Sequence, residues 1–401
     1  MGSPLDDISR AARETRPAPA HVTLIAYRFL RALSNADHAK VRVLADFYGR
    51  TLRGADRYYL ALSHLLTGQC ELGLQLLEGA PIPAIDPADS AFLRAQILSQ
   101  LDRRNDARRT LEHATTISRR LKPFAALADL VDNRRDFLRF ETVLRASIER
   151  GRVSASNFAL AEYRIKAALR AREYDFALSL ASGEYQRLAE AQRFEQRTLS
   201  PRAGETALRD LSNALRKTTA TFFLVSGTLL GAIREGRLLP HDNDIDVGIW
   251  AEDDMTSVRE AVSTSGCFLA LPQRSPWTLR IRHVNGIAID IFRHFRDELS
   301  YWHGGVKAKW HNTPFQLVRR DLLGGHYFIP SSPERYLEEN YGDWRQVATQ
   351  FDSILDTPNV EMVNRHECLV HYYRKLATSR TRRNLTGVRV YSERILQLSQ
   401  A

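Results

Sequence analysis

The chain has 401 residues, 44% hydrophobic and 26% charged, with a formal net charge of +10. That composition excludes a disordered or fibrous protein, and the length exceeds one ordinary core, so two domains are expected. The positive balance favours acidic partners such as nucleotides, phosphorylated glycans, nucleic acid or an anionic membrane surface; no nucleic acid is expected, because charge is its only support and no binding motif accompanies it.

Cys70, Cys267 and Cys368 are odd in number and scattered, which excludes a disulfide framework or a C-x-x-C zinc site and predicts a reducing compartment. The longest apolar stretch, Thr221–Ile233, holds two glycines and is too short to span a bilayer. With no apolar leader or myristoylation pattern at the N-terminus, a cytoplasmic protein is expected, at most peripheral at the inner face of the membrane.

In chain order, residues 1–20 end in Arg16-Pro17-Ala18-Pro19-Ala20 and read as a flexible lead-in. Residues 21–200 have helical periodicity and are rich in Leu, Ala and Arg. Gly73, Leu77 and Ala80 recur 34 residues later as Ala107, Leu111 and Ala114, and a further copy fits around Tyr163–Leu180. Small residues at such positions let two helices approach closely. The period resembles the tetratricopeptide repeat family, which implies a helical solenoid that binds a protein partner or an extended acceptor.

Ser200-Pro201-Arg202-Ala203-Gly204 punctuates the chain, and residues 201–350 alternate short strands with helices. Predicted elements are a helix over Thr206–Arg216, strands over Thr221–Val225 and Asp244–Trp250, and a helix over Asp253–Ser263. Trp277–His283 and Ile287–Phe292 form a predicted hairpin across the two-residue turn Asn285-Gly286. Ser331-x-x-Glu334 reads as a capping box, with Pro333 in the first turn of a helix that stops before Gly342. Residues 351–401 form a C-terminal extension, read from Val360 onward as basic amphipathic helix, with Arg380, Arg382 and Arg383 on a solvated face. The fold class is thus an all-α helical-repeat domain followed by a mixed β-sheet flanked by helices.

The chemistry concentrates in Phe222–Gly248. A strand runs into Ser226-Gly227-Thr228 and turns directly into a helix, where glycine permits close backbone approach and the Thr hydroxyl and helix amides can hold a phosphate. Asp244 and Asp246 alternate with Ile245 and Val247, so both carboxylates leave one face of a strand while the apolar pair packs behind. That spacing suits hard cations, which take oxygen ligands. Asp290 stands alone in the apolar run Ala288–Phe292, where a metal ion accounts for a carboxylate. Gly-Thr, then Asp-x-Asp, then an isolated Asp resembles the nucleotidyltransferase superfamily.

The resemblance narrows with Ser226–Arg234, Pro240–Val247 and Tyr336–Trp344, which together look like the LicD/fukutin family over about residues 205–345. Two departures flank the acids: His241 and Asn243 stand where the family commonly has Trp and Asp. The resemblance implies a nucleotidyltransferase-like sheet and transfer of an alditol phosphate or phosphocholine from a CDP-linked donor to a glycan or lipid-linked glycan hydroxyl, releasing CMP. It further implies Mg²⁺ or Mn²⁺ held by Asp244, Asp246 and Asp290, a donor diphosphate at Gly227 and Thr228, Arg234 neutralising phosphate charge, and Asp242 as an accessory ligand. Either Asp290 or His241 accepts the hydroxyl proton. Lys307 and Lys309, interleaved with aromatics in Tyr301–His311, either grip the diphosphate or belong to an ordinary strand; Tyr336 and Trp344 read as core anchors. Two rivals stay open: nucleotidyl transfer from an NTP, and a helical-repeat scaffold carrying an inactive transferase domain.

Overall fold

A computed structural model describes residues 4–15, 18–49, 52, 54–79, 81–188, 200–240, 242, 244–347 and 351–400. The first half is helical: α1 (Pro4–Glu14), α2 (Ala20–Ser34), α3 (His38–Tyr48), α4 (Ala55–Leu66), α5 (Cys70–Leu77) and α6 (Pro87–Gln100). It continues through α7 (Arg104–Ile117), α8 (Lys122–Asp129), α9 (Arg134–Glu149), α10 (Phe158–Arg170) and α11 (Tyr174–Leu188).

The 34-residue offset has a structural basis. It relates the pair α4–α5 to the pair α6–α7, and the residues that reverse the chain keep the same spacing: Gly68 at φ 75° and Asp102 at φ 56°. Glycine adopts this left-handed conformation freely and Asp tolerates it. Gly73 lies so close to α4 that a Cβ there would be 3.1 Å from the Ala61 carbonyl. Ala107, Leu111 and Ala114 are buried; Ala80 falls outside the described residues.

The expected flexible lead-in is corrected over its described part. α1 is docked, with Ala11 and Glu14 buried, and the Glu14 carboxylate accepts from Arg10 Nε at 2.7 Å, Tyr59 Oη at 3.2 Å and Tyr58 Oη at 3.3 Å. A buried carboxylate with three donors fixes a helix rather than a tail.

At the punctuation Ser200–Gly204 a helix starts: Pro201 opens α12 (Pro201–Leu215) in its first turn. Then come β1 (Phe223–Leu224), α13 (Ser226–Arg234), β2 (Asp244–Trp250), α14 (Met255–Ser263), β3 (Phe268–Ala270), β4 (Thr278–His283) and β5 (Ala288–Arg296). β6 (Tyr301–Gly304), β7 (Ala308–Asn312), β8 (Leu317–Leu322), β9 (Gly325–Pro330), α15 (Pro333–Tyr341) and β10 (Val360–Met362) follow, and α16 (Arg365–Thr381) and α17 (Leu385–Gln400) close the chain. The capping box is corrected as well: the N-cap of α15 is Ser332, and its side chain makes no cap bond.

Among the described residues the sheet runs β10-β7-β6-β5-β2-β1-β9-β8, with β4 also on β5 and β3 on β4. β2 and β5 are parallel and in register from Asp244↔Ala288 to Trp250↔His294. Ile245, Val247, Ile249, Leu279, Ile281, Ile289 and Ile291 are fully buried. They share a core with Leu208 and Leu211 of α12 and with Val258 and Val262 of α14. Burying one face of β2, β4 and β5 in this way leaves Asp244, Asp246, Arg280 and Asp290 together on the other.

The two halves are joined at separate places. The Gly266 amide donates to Leu66 O at 2.9 Å, and His38 Nε2 lies 2.8 Å from Gly266 O. Far along the chain, Val370 and Ala377 of α16 enter the core of the helical half, and His366 stacks on Tyr174 with centroids 4.2 Å apart. The C-terminal extension therefore packs on the first half. Arg380, Arg382 and Arg383 are exposed, as expected.

Candidate functional site

β2 and β5 bring the three predicted carboxylates together. Asp246 is directly beside Asp290 in the parallel register, and Asp244 lies two residues back on the same face of β2. The chain turns from β1 into α13 through Ser226, held at φ 47°, a left-handed conformation that costs a non-glycine residue about 1 kcal/mol. The turn points the start of α13 at the acids: the Gly227 amide donates to Asp246 Oδ2 at 3.3 Å. A Cβ on Gly227 would collide with Asp242 Oδ2, so glycine here lets the Asp242 carboxylate close over the helix start.

The electrostatics follow from this crowding. Burial pushes the Asp246 carboxyl well above the usual carboxylate range, and Asp244, Asp242 and Asp290 push it further, against the Gly227 amide. Burial raises Asp290 to about 6, with Arg280 opposing and Asp244 adding. Asp244, Asp242 and Asp290 each raise the Asp246 carboxyl, so these carboxylates form an all-oxygen set under mutual repulsion, the donor chemistry that a hard divalent cation takes.

Several expected roles meet different surroundings. The Thr228 side chain is buried, and its hydroxyl accepts from the Asp246 amide at 2.8 Å; it pins α13 to β2 rather than facing a ligand. Arg234 is turned the other way. Its guanidinium donates to Trp344 O at 3.1 Å and Gln346 O at 3.4 Å and pairs with Glu235 at 3.0 Å, tying α13 to the segment after α15 with only 11% of its side chain exposed. Lys307 lies against α16, its Nζ 3.4 Å from His371 Nδ1, and burial draws its amine downward. Lys309 Nζ is seated 4.4 Å from the Trp302 ring centroid and 5.3 Å from that of Trp277. Both lysines thus have partners of their own on or beside the β6–β7 hairpin, and the diphosphate role expected for them is not supported. His241 and Asn243 lie outside the described residues. Tyr336 and Trp344 are buried core residues, as read from the sequence.

Sequence reasoning missed Arg280. It lies opposite Asp290 across β4–β5 and bridges Asp290 and Asp244 through Nε and Nη2 at 2.7 and 2.8 Å.

A second cluster lies on the opposite face of the sheet, where Asp210, Cys267 and His283 bring potential ligand atoms within 4.8 Å of one another. The Asn285 amide donates to His283 Nδ1 at 3.2 Å. His283 Nε2 lies 3.1 Å from Asp210 Oδ2. Burial pushes the Cys267 thiol up to about 11. The contact between His283 and Asp210 ties β4 to α12.

With this geometry in place, comparison with known proteins is informative. Residues 219–324 match the family model described as LicD/FKTN/FKRP, nucleotidyltransferase domain. Human "Ribitol-5-phosphate transferase FKTN" is 25% identical over 174 residues, 40% of this chain and 37% of that protein. The mouse protein of the same description is 26% identical over 164 residues, 37% of this chain and 35% of that protein. An uncharacterized protein of Rickettsia typhi is 34% identical over 152 residues, 35% of this chain and 46% of that protein. The chain thus spans less than half the length of these relatives, and the matched part holds the aspartate cluster, Gly227 and Arg280. On this match residues 219–324 are similar to the nucleotidyltransferase domain of the LicD/FKTN/FKRP family.

Proposed function

We propose that residues 201–350 form a phosphotransferase domain that moves an alditol phosphate or phosphocholine from a CDP-linked donor to a hydroxyl of a cell-surface polysaccharide or its lipid-linked precursor, releasing CMP. One observation carries this reading: Asp244, Asp246 and Asp290 converge on one sheet face beside a helix start whose Gly227 amide points at them. The similarity to the ribitol-5-phosphate transferase FKTN supports the class of transferred group. A Mg²⁺ or Mn²⁺ ion held by Asp244, Asp246 and Asp290 would supply charge neutralisation for the phosphate.

The chain's own residues orient the reaction. The α13 start offers a backbone amide and the positive end of a helix to phosphate oxygens. Asp242 crowds Gly227 and closes the cluster on that side. The acceptor oxygen forms a bond to the donor's transferred phosphorus, the bond from that phosphorus to the CMP oxygen breaks, and the hydroxyl proton passes to a base. Asp290 or His241 takes that proton. The paired helices of the first half offer a TPR-like surface for the long acceptor or a protein partner. Among the described residues no helix is long and apolar enough to cross a membrane. A cytoplasmic protein, at most peripheral at the membrane's inner face, is part of this reading.

The test is CMP release from CDP-ribitol, CDP-glycerol and CDP-choline with Mg²⁺ and candidate glycans. Release that disappears in Asp246→Ala is expected. Release from none of the donors, or release unchanged in that variant, overturns the proposal, and pyrophosphate release from an NTP would mark nucleotidyl transfer instead.

A further inference from the structure

Arg280 gives the aspartate cluster a property beyond catalytic geometry. Its guanidinium takes one oxygen from each of two carboxylates on two different strands, Asp290 Oδ1 at 2.7 Å and Asp244 Oδ2 at 2.8 Å. The reason lies in the sheet. Asp246 is beside Asp290 on β2–β5, and Arg280 is opposite Asp290 on β4–β5, so β5 is flanked by acids on one side and a base on the other. The planar fork of Arg suits two acceptors a few ångströms apart, which the single-point ammonium of Lys does not.

Two features distinguish this contact from an ordinary structural ion pair. Arg280 holds one oxygen of each carboxylate, Asp290 Oδ1 and Asp244 Oδ2, and so supplies positive charge to the same pair of acids that a shared cation would neutralise; guanidinium and divalent ion compete for that pair. The Arg280 side chain is also 50% exposed, against 25% for Asp244 and 16% for Asp290. The acids are fixed in the sheet while the base is free to leave on the solvent side. When it leaves, its neighbourhood is the open face of the cluster, where the phosphates of a donor held at the α13 start would be.

We propose that Arg280 is the resident counter-cation of the metal-free site, displaced by the divalent ion and then taken up by the phosphates of a nucleoside diphosphate, so that metal and diphosphate bind cooperatively. This rests on the metal-site reading of Asp244, Asp246 and Asp290. Arg280 is then a positioning residue that couples two ligands, and the coupling is reciprocal by linkage.

The experiment uses the full chain and follows Mn²⁺ binding by electron paramagnetic resonance, with and without CDP, in wild type, Arg280→Met and Arg280→Lys. In wild type, CDP tightens Mn²⁺ binding about tenfold or more. Arg280→Met binds Mn²⁺ alone about tenfold more tightly than wild type, because no guanidinium is displaced, and loses most of the tightening by CDP. Arg280→Lys keeps the charge but cannot bridge both acids, and it falls between the two. A residue with a merely structural role would shift the melting temperature and leave the CDP effect intact. Equal Mn²⁺ affinities in all three proteins, or an unchanged CDP effect in Arg280→Met, overturn the role of Arg280 while the metal site stands. No Mn²⁺ uptake by any of them, with or without CDP, overturns the metal site itself and this proposal with it.

Discussion

Replacing Asp290 by Asn should stabilise the metal-free protein near neutral pH, although it removes a ligand and an ion-pair partner. The Asp290 carboxyl, ordinarily near 3.8, is raised to about 6 in the fold, so the folded state holds this proton more tightly than the unfolded chain does. Stability from the protonated carboxyl is fully present below about pH 4 and is lost as pH rises through about 6. That gap corresponds to about 3 kcal/mol against the fold once the group is ionised. Burial outweighs the attraction of Arg280, and Asp244 adds repulsion. Asn has the same shape and no charge to desolvate. In a chelator at about pH 7.5, Asp290→Asn is expected to be about 1–3 kcal/mol more stable than wild type in urea unfolding, and the difference should vanish near pH 4. Saturating Mn²⁺ should reverse the order, because only wild type keeps the full ligand set. A variant less stable than wild type in chelator at neutral pH, or a difference that does not change with pH, would refute the reasoning.

Other substitutions test other links. Gly227→Ala drives a Cβ into the Asp242 carboxylate; transfer activity should fall at least about tenfold while the urea midpoint moves little, since the displaced group is at the edge of the cluster. Glu14→Ala leaves Arg10, Tyr58 and Tyr59 without their shared acceptor, and chemical unfolding should show a loss of about 2–4 kcal/mol. Arg172 turns the chain between α10 and α11 at φ 62° and is exposed; Arg172→Gly should stabilise the helical half by about 0.5–1 kcal/mol, read from urea unfolding.

Much of the helical half and of the aspartate strand is legible in the sequence because both rest on short-range periodicity. The bounds of β2 are those read from the alternation of Asp244–Trp250. The polar residues whose partners are not legible in the sequence share a different cause. Thr228, Arg234 and Lys307 are polar residues beside a suggestive motif, and each is satisfied by a partner from elsewhere: the Asp246 amide, the backbone after α15, and His371 of α16. Local pattern shows that a polar side chain needs a partner and cannot show which distant one arrives. The docking of α1 is similar, although Arg10 and Glu14 at helical spacing were a local signal for it.

Arg280 was hidden by a single residue of register. A two-residue turn at Asn285-Gly286 would place Ile281, rather than Arg280, opposite Asp290. The hairpin instead closes with the His283 amide donating to Ile287 O at 2.8 Å, which leaves Val284, Asn285 and Gly286 in the loop, Gly286 at φ 96°. That shift pairs Ile281 with Ile289 and Leu279 with Ile291, apolar with apolar, and sets Arg280 against Asp290. The apolar face decides the outcome. A one-residue slip would carry Leu279 and Ile281 to the wrong side of the sheet, a larger cost than any preference of the Asn-Gly turn. The alternation of Thr278–His283 against Ala288–Phe292 therefore contained the correct register and the counter-charge of the aspartate cluster, and the strong local turn signal obscured both.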